Sequence, residues 1–341
     1  MTESSKLIQY DDGYLNKTPI FQFVLLSCLF ALWGAAASLN DILITQFKSV
    51  FTLSDFASAL VQSAFYGGYF LISIPASVVI RKTTYKLAIM IGLIFYIGGC
   101  SLFFPASMMA TYTMFLVAIF ILFLITKYPK CKVKEVANNQ NTPKVTLGET
   151  LKYLSGNSLF KKGIIAQFLY VGMQVAVWSF TIRLALDLMP HINERMAADF
   201  MVISFVCFFV GKFIANFLMT KFSVNKVLLA YSIIGCILIL YVAFIPNLTA
   251  IYAAVAISIL LGPCWATIYA ETLKSVEKKY TETAGAIIVM SIIGGAFMPA
   301  VQGFVSDMVG SMQFSFIVNF FCFAYIGWYF YYKMKLENKE G

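Results

Sequence analysis

Two polar residues, Asn40 and Asp41, interrupt a long apolar stretch in the sequence LNDILITQF (39–47). A carboxylate inside a bilayer costs a few kcal/mol or more, so its presence there needs a reason. Two interpretations of Asp41 stay open. If the helix begins at Ile20, Asp41 lies about 30 Å along it, at the outer membrane surface. If the helix continues to Phe47 and tilts, Asp41 turns into a central cavity, where it could take up and release a proton.

A second polar pattern lies in the stretch IAQFLYVGMQVAVWSFTIR (165–183). The helical repeat places Gln167, Gln174 and Trp178 near one face. Amides bond hydroxyl groups and an indole ring can stack on the apolar face of a pyranose, so this face suits sugar binding. The alternative is that the two glutamines only join helices by hydrogen bonds, as polar side chains often do in membrane bundles.

Residues for most other chemistries are missing from the sequence. The seven cysteines are scattered without a CxxC pair, and the single His191 cannot build a metal site alone. The chain has no GxSxG, Walker A, HExxH or Rossmann pattern. We therefore predict neither a metal nor a cofactor, and no enzyme or ATP-driven pump.

The elements that must position these residues are membrane helices. Hydrophobic residues make up 60% of the chain and charged residues only 12%, and the mean hydropathy is +0.81. This composition predicts an all-α, polytopic membrane protein. Ten apolar runs are long enough to span: about 20–46, 56–80, 87–105, 109–126, 164–188, 198–220, 225–246, 250–272, 283–306 and 312–332.

The net charge of +9 is explained by orientation rather than by nucleic-acid binding. With the N-terminus inside, 21 of the 25 Lys and Arg residues fall in inside segments and only Lys48, Arg183 and Arg195 in outside loops. This asymmetry follows the positive-inside rule. We predict a multi-pass protein of the plasma membrane, or of the inner membrane of a bacterium, with both termini cytoplasmic.

The long polar stretch 127–163 divides the apolar runs into a group of four and a group of six. It contains Pro129, Pro143 and an Asn/Gln run, which predict a flexible aqueous loop. We therefore expect an incomplete N-terminal lobe over 1–126, a cytoplasmic linker over 127–163 and a six-helix C-terminal lobe over 164–341. Two bundles joined by a linker are typical of transporters built from repeated halves.

The last feature is a Gly- and Pro-rich segment, SIIGGAFMPAVQGFVSD (291–307). Gly294 and Gly295 allow close approach of a neighbouring helix, and Pro299 breaks the backbone hydrogen-bond ladder. Bent or broken helices of this kind occur in transporters. We predict a conformational role for these three residues.

Four stretches carry a family signature: LFALWGAAASLNDILITQF, FTLSDFASALVQSAFYGGYFLISIPASVVIRKTTYK, AQFLYVGMQVAVWSFTIR and IVMSIIGGAFMPAVQGFVSD. They resemble the L-fucose–proton symporter group of the major facilitator superfamily, over most of the chain. The resemblance implies two six-helix lobes with alternating access around a sugar site. It also implies that Asp41 of the NDIL motif couples transport to protons and that Asn40 lies at the substrate site. Arg81 and Lys82 occupy the place of the superfamily's basic loop motif, in degenerate form.

The chain departs from this group at one place. YTMFLVAIF (112–120) resembles the start of the group's fourth helix and FLITKYPK (123–130) the end of its sixth. The segment between them is absent, and with it a proton-linked glutamate on helix four. Fusing the two pieces gives one span and preserves the orientation of everything that follows, but the cavity loses much of one wall.

These observations predict secondary active transport of L-fucose or a related hexose by proton symport. The alternative is a transport-incompetent or uncoupled sugar-binding remnant of such a transporter. The expected partners are a small sugar, protons and the lipid bilayer, and a homodimer could restore the missing wall.

Overall fold

The computed structural model describes residues 19–26, 28–29, 44, 48, 51–83, 85–102, 107–126 and 147–340. Asn40 and Asp41 lie outside these residues. Every regular element in the described ranges is helical and none is a strand, which confirms the predicted all-α fold.

Twelve α-helices have defined bounds in the described part of the chain. They are α1 (Asp55–Lys82), α2 (Tyr85–Leu102), α3 (Ser107–Ile125), α4 (Leu147–Gly156), α5 (Ser158–Leu188), α6 (Glu194–Lys221), α7 (Val224–Phe244), α8 (Leu248–Leu261), α9 (Cys264–Leu273), α10 (Thr281–Met290), α11 (Gly294–Val309) and α12 (Ile317–Glu340).

Six stretches of the described chain are long and apolar enough to cross a membrane, and two shorter apolar helices accompany them. The six long stretches match the six spans predicted for the second half of the chain, which are therefore confirmed. They are Ser158–Leu188, Glu194–Lys221, Val224–Phe244, Leu248–Leu273, Thr283–Val309 and Phe314–Glu337.

The helices group into two compact units that do not follow the chain in order. The first unit comprises 1–38 and 73–144, and the second comprises 39–72 and 145–341. In the first unit, α2 packs against α3 around a small apolar core that includes Leu93, Leu116 and Phe123. The expected linear division into lobes and linker stays a prediction.

Helix α5 lies at the centre of the second unit. It packs against α6, α9, α11 and α12, and it is buried along most of its length. Because these four helices all contact it, α5 fixes where the side chains that face it lie. The large side chains fully buried in this unit include Tyr170, Phe180, Phe316, Phe323, Tyr329 and Phe330.

Helix α4 corrects the prediction of a flexible loop throughout 127–163. Its Tyr153 ring stacks on Tyr280 with centroids 4.2 Å apart, and its Leu154 is buried in the same apolar cluster. The next residue after α4, Asn157, caps α5 through Phe160 N–H (3.0 Å) and donates to the carbonyl of Ser275 (2.8 Å). The loop prediction is wrong over 147–156 and over 158–163, which are helical, because apolar residues there have a surface to pack on.

The Gly- and Pro-rich segment contains an irregular turn, but the turn lies before Gly294 and not at Pro299, where the break was predicted. A single 3₁₀ turn, Ser291–Ile293, separates α10 from α11. Gly294 follows the turn, and a Cβ atom there would lie 2.0 Å from the carbonyl oxygen of Phe168 in α5. Pro299 lies inside α11. The backbone of α11 can therefore approach α5 only because position 294 has no side chain.

Candidate functional site

One face of α5 carries the polar residues singled out in the sequence. The helical repeat places Gln167, Gln174 and Trp178 on it together with Tyr170, and the hydrogen bonds of Tyr170 and Trp178 go to α8. The Tyr170 hydroxyl donates to the carbonyl of Leu261 (2.9 Å), and the Trp178 indole N–H donates to the Ser258 hydroxyl (3.1 Å). The three predicted residues therefore share one face of α5, spread over about three turns.

The opposing element is interrupted where it meets this face. The span Leu248–Leu273 is divided by Gly262 and Pro263 into α8 and α9. Pro263 has no N–H to donate, and a Cβ at Gly262 would lie 2.5 Å from the Phe208 carbonyl oxygen. The break therefore permits close packing of this span against α6.

The two glutamines differ in their surroundings. Gln167 is 1% exposed, and neither the oxygen nor the nitrogen of its amide group has a hydrogen-bond partner among the described residues. Gln174 is half-buried, and no interaction of its amide group is found within the described ranges. An unpaired buried amide costs about 1–3 kcal/mol. No described hydrogen bond supports the alternative in which these amides only join helices.

Trp178 belongs to an aromatic group rather than standing alone. Its ring meets Phe205 and Phe208 edge-on, with centroid distances of 4.8 and 5.2 Å. The Lys212 ammonium lies over the Phe208 ring at 4.6 Å. Since its N–H is also bonded, Trp178 has less freedom to meet a ligand than the sequence pattern suggested.

A second aromatic pair escaped the sequence analysis. Trp265 and Tyr269 lie one turn apart in α9, immediately after the Gly262–Pro263 break. Their rings are nearly parallel, at 8° and a centroid distance of 5.6 Å, and Trp265 is 40% exposed. The signal available in the sequence was a pair of aromatic residues four positions apart, directly after Gly262, Pro263 and Cys264. This pair offers an accessible aromatic face on the same broken span that α5 contacts.

The remaining predicted site residues lie elsewhere. Gly294 and Gly295 begin α11, where a Cβ at Gly295 would lie 2.9 Å from the Tyr66 ring. Arg81 and Lys82 are the last residues of α1, and their side chains are outside the described part. Asn40 and Asp41 are also outside it. No group of three or more side chains placed to hold a metal is found among the described residues.

Comparison with known proteins agrees with the fold. The chain is 29% identical to the L-fucose-proton symporter of Escherichia coli (strain K12), over 95% of each chain. It is 26% identical to the glucose/galactose transporter of Brucella abortus biovar 1 (strain 9-941), over 91% of this chain and 93% of that protein. A crystal structure of the major facilitator superfamily transporter FucP, in the outward conformation, matches with a TM-score of 0.67 and 28% identity, over 92% of this chain and 98% of that one. No family model matches.

The chain shares its fold, and 28–29% of its aligned sequence, with transporters of the major facilitator superfamily. Within that superfamily its homologues are L-fucose–proton symporters at 24–29% identity, so the resemblance predicted from the sequence is confirmed. Its homologues are transporters and not enzymes, as predicted.

The match to the Escherichia coli protein also bears on length. It extends over 423 aligned residues, whereas this chain has 341. At least 82 aligned positions (423 minus 341) therefore hold no residue of this chain. This agrees with a missing segment, and its place between 120 and 123 stays a prediction.

Proposed function

We propose that this protein carries a hexose, L-fucose or a close relative, across the membrane together with protons, by alternating access. The observation that carries the proposal is the match to L-fucose–proton symporters along nearly their whole length. The polar face of α5 supports it, because a fold alone does not assign a substrate.

In the second unit, Gln174, Trp178 and Trp265 are the proposed sugar contacts. Gln174 has no hydrogen bond to another described residue, so its amide can bond hydroxyl groups. Trp265 presents an exposed ring that can cover the apolar face of a pyranose. Gln167 lies deeper on the same face and can bond a sugar hydroxyl only if the helices separate locally. This requirement fits a transporter whose helices move during the cycle.

In the first predicted helix, Asp41 is the proposed proton carrier and Asn40 a sugar contact. Both assignments rest on the NDIL motif. A carboxylate facing a cavity in a membrane has its charged form disfavoured by desolvation, which helps it to bind a proton at neutral pH.

The alternative function is an uncoupled or transport-incompetent sugar-binding protein. It is favoured by the shorter length relative to the 423 aligned residues and by the predicted loss of a helix-four glutamate. Such a protein would bind sugar without pH-driven accumulation.

The proposed location is the plasma membrane, or the inner membrane of a bacterium, with both termini cytoplasmic. The charge asymmetry of the loops supports this orientation. A homodimer is proposed as the means by which a second copy supplies the missing cavity wall.

Uptake of labelled L-fucose, galactose and glucose in cells without their own carriers tests the function. Asp41→Asn is expected to retain sugar binding and to lose pH-driven accumulation. Asp187→Asn, an exposed carboxylate at the end of α5, is the matched control. Equal accumulation by the native chain and Asp41→Asn would contradict the role of Asp41, and absence of uptake and binding by a correctly inserted chain would contradict the function.

A further inference from the structure

The N-terminus of α1 is capped by a carboxylate from a distant helix. Asp307, near the end of α11, accepts the backbone N–H of Asp55 through Oδ1 and that of Phe56 through Oδ2, both at 2.8 Å. The first N–H groups of a helix have no partner within the helix, and this end carries partial positive charge. Asp307 therefore satisfies two of these donors from 252 and 251 positions away.

The side chain of Asp55 completes the contact. The Ser306 hydroxyl donates to its Oδ2 at 2.6 Å, and Lys48 forms an ion pair with it. Arg183, at 4% exposure, donates to the Asp55 carbonyl at 3.4 Å and has its guanidinium 4.0 Å from Oδ1. We call Lys48, Asp55, Arg183, Ser306 and Asp307 the outer charged cluster, because the Lys and Arg distribution predicts this end to be outside.

The backbones of α1 and α11 lie close along the same contact. A Cβ at Gly303 would lie 2.7 Å from the Asp55 carbonyl oxygen. The Phe56 ring meets Phe304 edge-on at 6.1 Å, and the Ser63 hydroxyl donates to the carbonyl of Ala296. The contacts between α1 and α11 thus occur at separate points along the two helices, and the charged cluster lies at the outermost of them.

We propose that the outer charged cluster is a latch, with Asp307 as its central positioning residue, that holds the outer ends of α1 and α11 together for part of the transport cycle. This inference rests on the proposed function, since only a transporter with alternating access needs the contact to open. The sequence assigns α1 to the first predicted lobe, and α5 and α11 to the second. Rocking of such lobes must break contacts between them on one side of the membrane.

The chemistry of the cluster suits a contact that opens and closes. Asp307 is exposed, and water can replace its bonds to the N–H groups of the helix end when the helices part. Asp55, Arg183 and Ser306 are buried in the closed contact, so opening it brings water to their bonds as well. Removing the charge of Asp307 weakens the attraction to the helix N-terminus while one carbonyl oxygen remains to accept a bond. We expect the open state to become more populated.

The test is the rate at which a membrane-impermeant maleimide labels Ser58→Cys from outside. Ser58 is buried one turn below Asp55, so labelling requires the latch to open. The rate is corrected with the same chain lacking Ser58→Cys, because native cysteines are present. Asp307→Asn is expected to raise the corrected rate about five-fold or more, and Ser306→Ala about two-fold, since it removes one hydrogen bond.

Asp187→Asn is the matched control, because Asp187 is exposed at the same predicted end and takes no part in the cluster. It is expected to leave the rate unchanged. Equal rates in the native chain and both latch variants would overturn the proposal, as would an equal increase in the control. Labelling needs no sugar, so a failure of the latch is distinguishable from a failure of the transport function, and Ser306→Ala keeps the test valid if Asp307→Asn does not fold.

Discussion

The second unit carries two charged clusters, and they differ in what they connect. The outer charged cluster ties the start of α1 to the ends of α5 and α11. The inner charged cluster, which we define as Asn225, Glu271, Lys274, Lys333 and Glu337, lies at the predicted cytoplasmic end. There Glu271 pairs with Lys333 and with Lys274 (2.6 Å), and Asn225 donates to Glu337 at 2.7 Å.

The inner cluster joins only helices of the second predicted lobe, namely α7, α9 and α12. Glu271 and Lys333 are 5% and 7% exposed, so the two charges depend on each other to stay buried. The outer cluster joins segments that the sequence assigns to different lobes. Its Asp55 and Arg183 are also buried, but Lys48 and Asp307 reach the surface. The comparison suggests that the inner cluster maintains the fold of one lobe, whereas the outer cluster controls a contact between lobes.

The largest expected effect is on stability, at the inner cluster. Glu271→Ala leaves the Lys333 ammonium buried without its carboxylate, and we expect a loss of about 3–5 kcal/mol of unfolding free energy. Asp307→Asn, at the outer cluster, is expected to cost less than about 1 kcal/mol. Denaturation of the purified protein in detergent measures both, and losses of similar size would remove the distinction between the clusters.

A double substitution sharpens the same point. Glu271→Leu with Lys333→Met replaces the ion pair by apolar groups, and we expect it to recover most of the stability lost in Glu271→Ala. Lys274 tolerates the change because its side chain is 69% exposed. If the double variant is as unstable as Glu271→Ala, the cost comes from packing and not from the uncompensated charge.

The next effect in size concerns the close approach of α1 and α11. Gly303→Ala places a methyl group against the Asp55 carbonyl, and we expect it to cost about 1–3 kcal/mol and to increase outside labelling of Ser58→Cys. Gly98→Ala, where a Cβ meets nothing within 4 Å, is the control. A labelling rate for Gly303→Ala equal to that of the control would show that this approach does not close the outer end.

The smallest expected effect is on sugar affinity. Trp265→Ala removes the exposed ring of α9, and we expect an increase of about three- to ten-fold in the sugar concentration needed for half-maximal uptake. Trp328→Ala removes an exposed ring of α12 that packs with Tyr332 of the same helix and with Lys162 of α5, away from the proposed site, and serves as the control. Unchanged affinity in Trp265→Ala would show that the Trp265 ring does not stack on the sugar, and Trp178 would remain as the proposed stacking residue.

Sequence reasoning was strongest where a signal is local. Apolar run length sufficed for the six spans of the second half, because a helix in lipid must satisfy its own backbone. The 3.6-residue repeat sufficed to place Gln167, Gln174 and Trp178 on one face of α5. The Gly262–Pro263 pair is an equally local signal, of an interrupted helix, and the sequence analysis overlooked it.

The features that sequence reasoning missed depend on contacts far apart in the chain. Helix α4 is short and polar enough to look like a loop, and it is ordered by packing of Tyr153 on Tyr280. The cap that Asp307 gives to α1 crosses 252 positions. The sequence around Asp307, SDMVG (306–310), contains no local pattern that predicts such a partner. The bonding of Trp178 to Ser258 likewise emerges only from the packing of α5 against α8.

The central claim, proton-coupled sugar transport, is tested most directly in proteoliposomes with an imposed pH gradient, acidic outside. The account predicts that labelled L-fucose accumulates above its outside concentration, and that dissipating the gradient or introducing Asp41→Asn abolishes this accumulation. Entry that only equilibrates, with the gradient having no effect, would contradict proton coupling and identify the chain as an uncoupled sugar carrier.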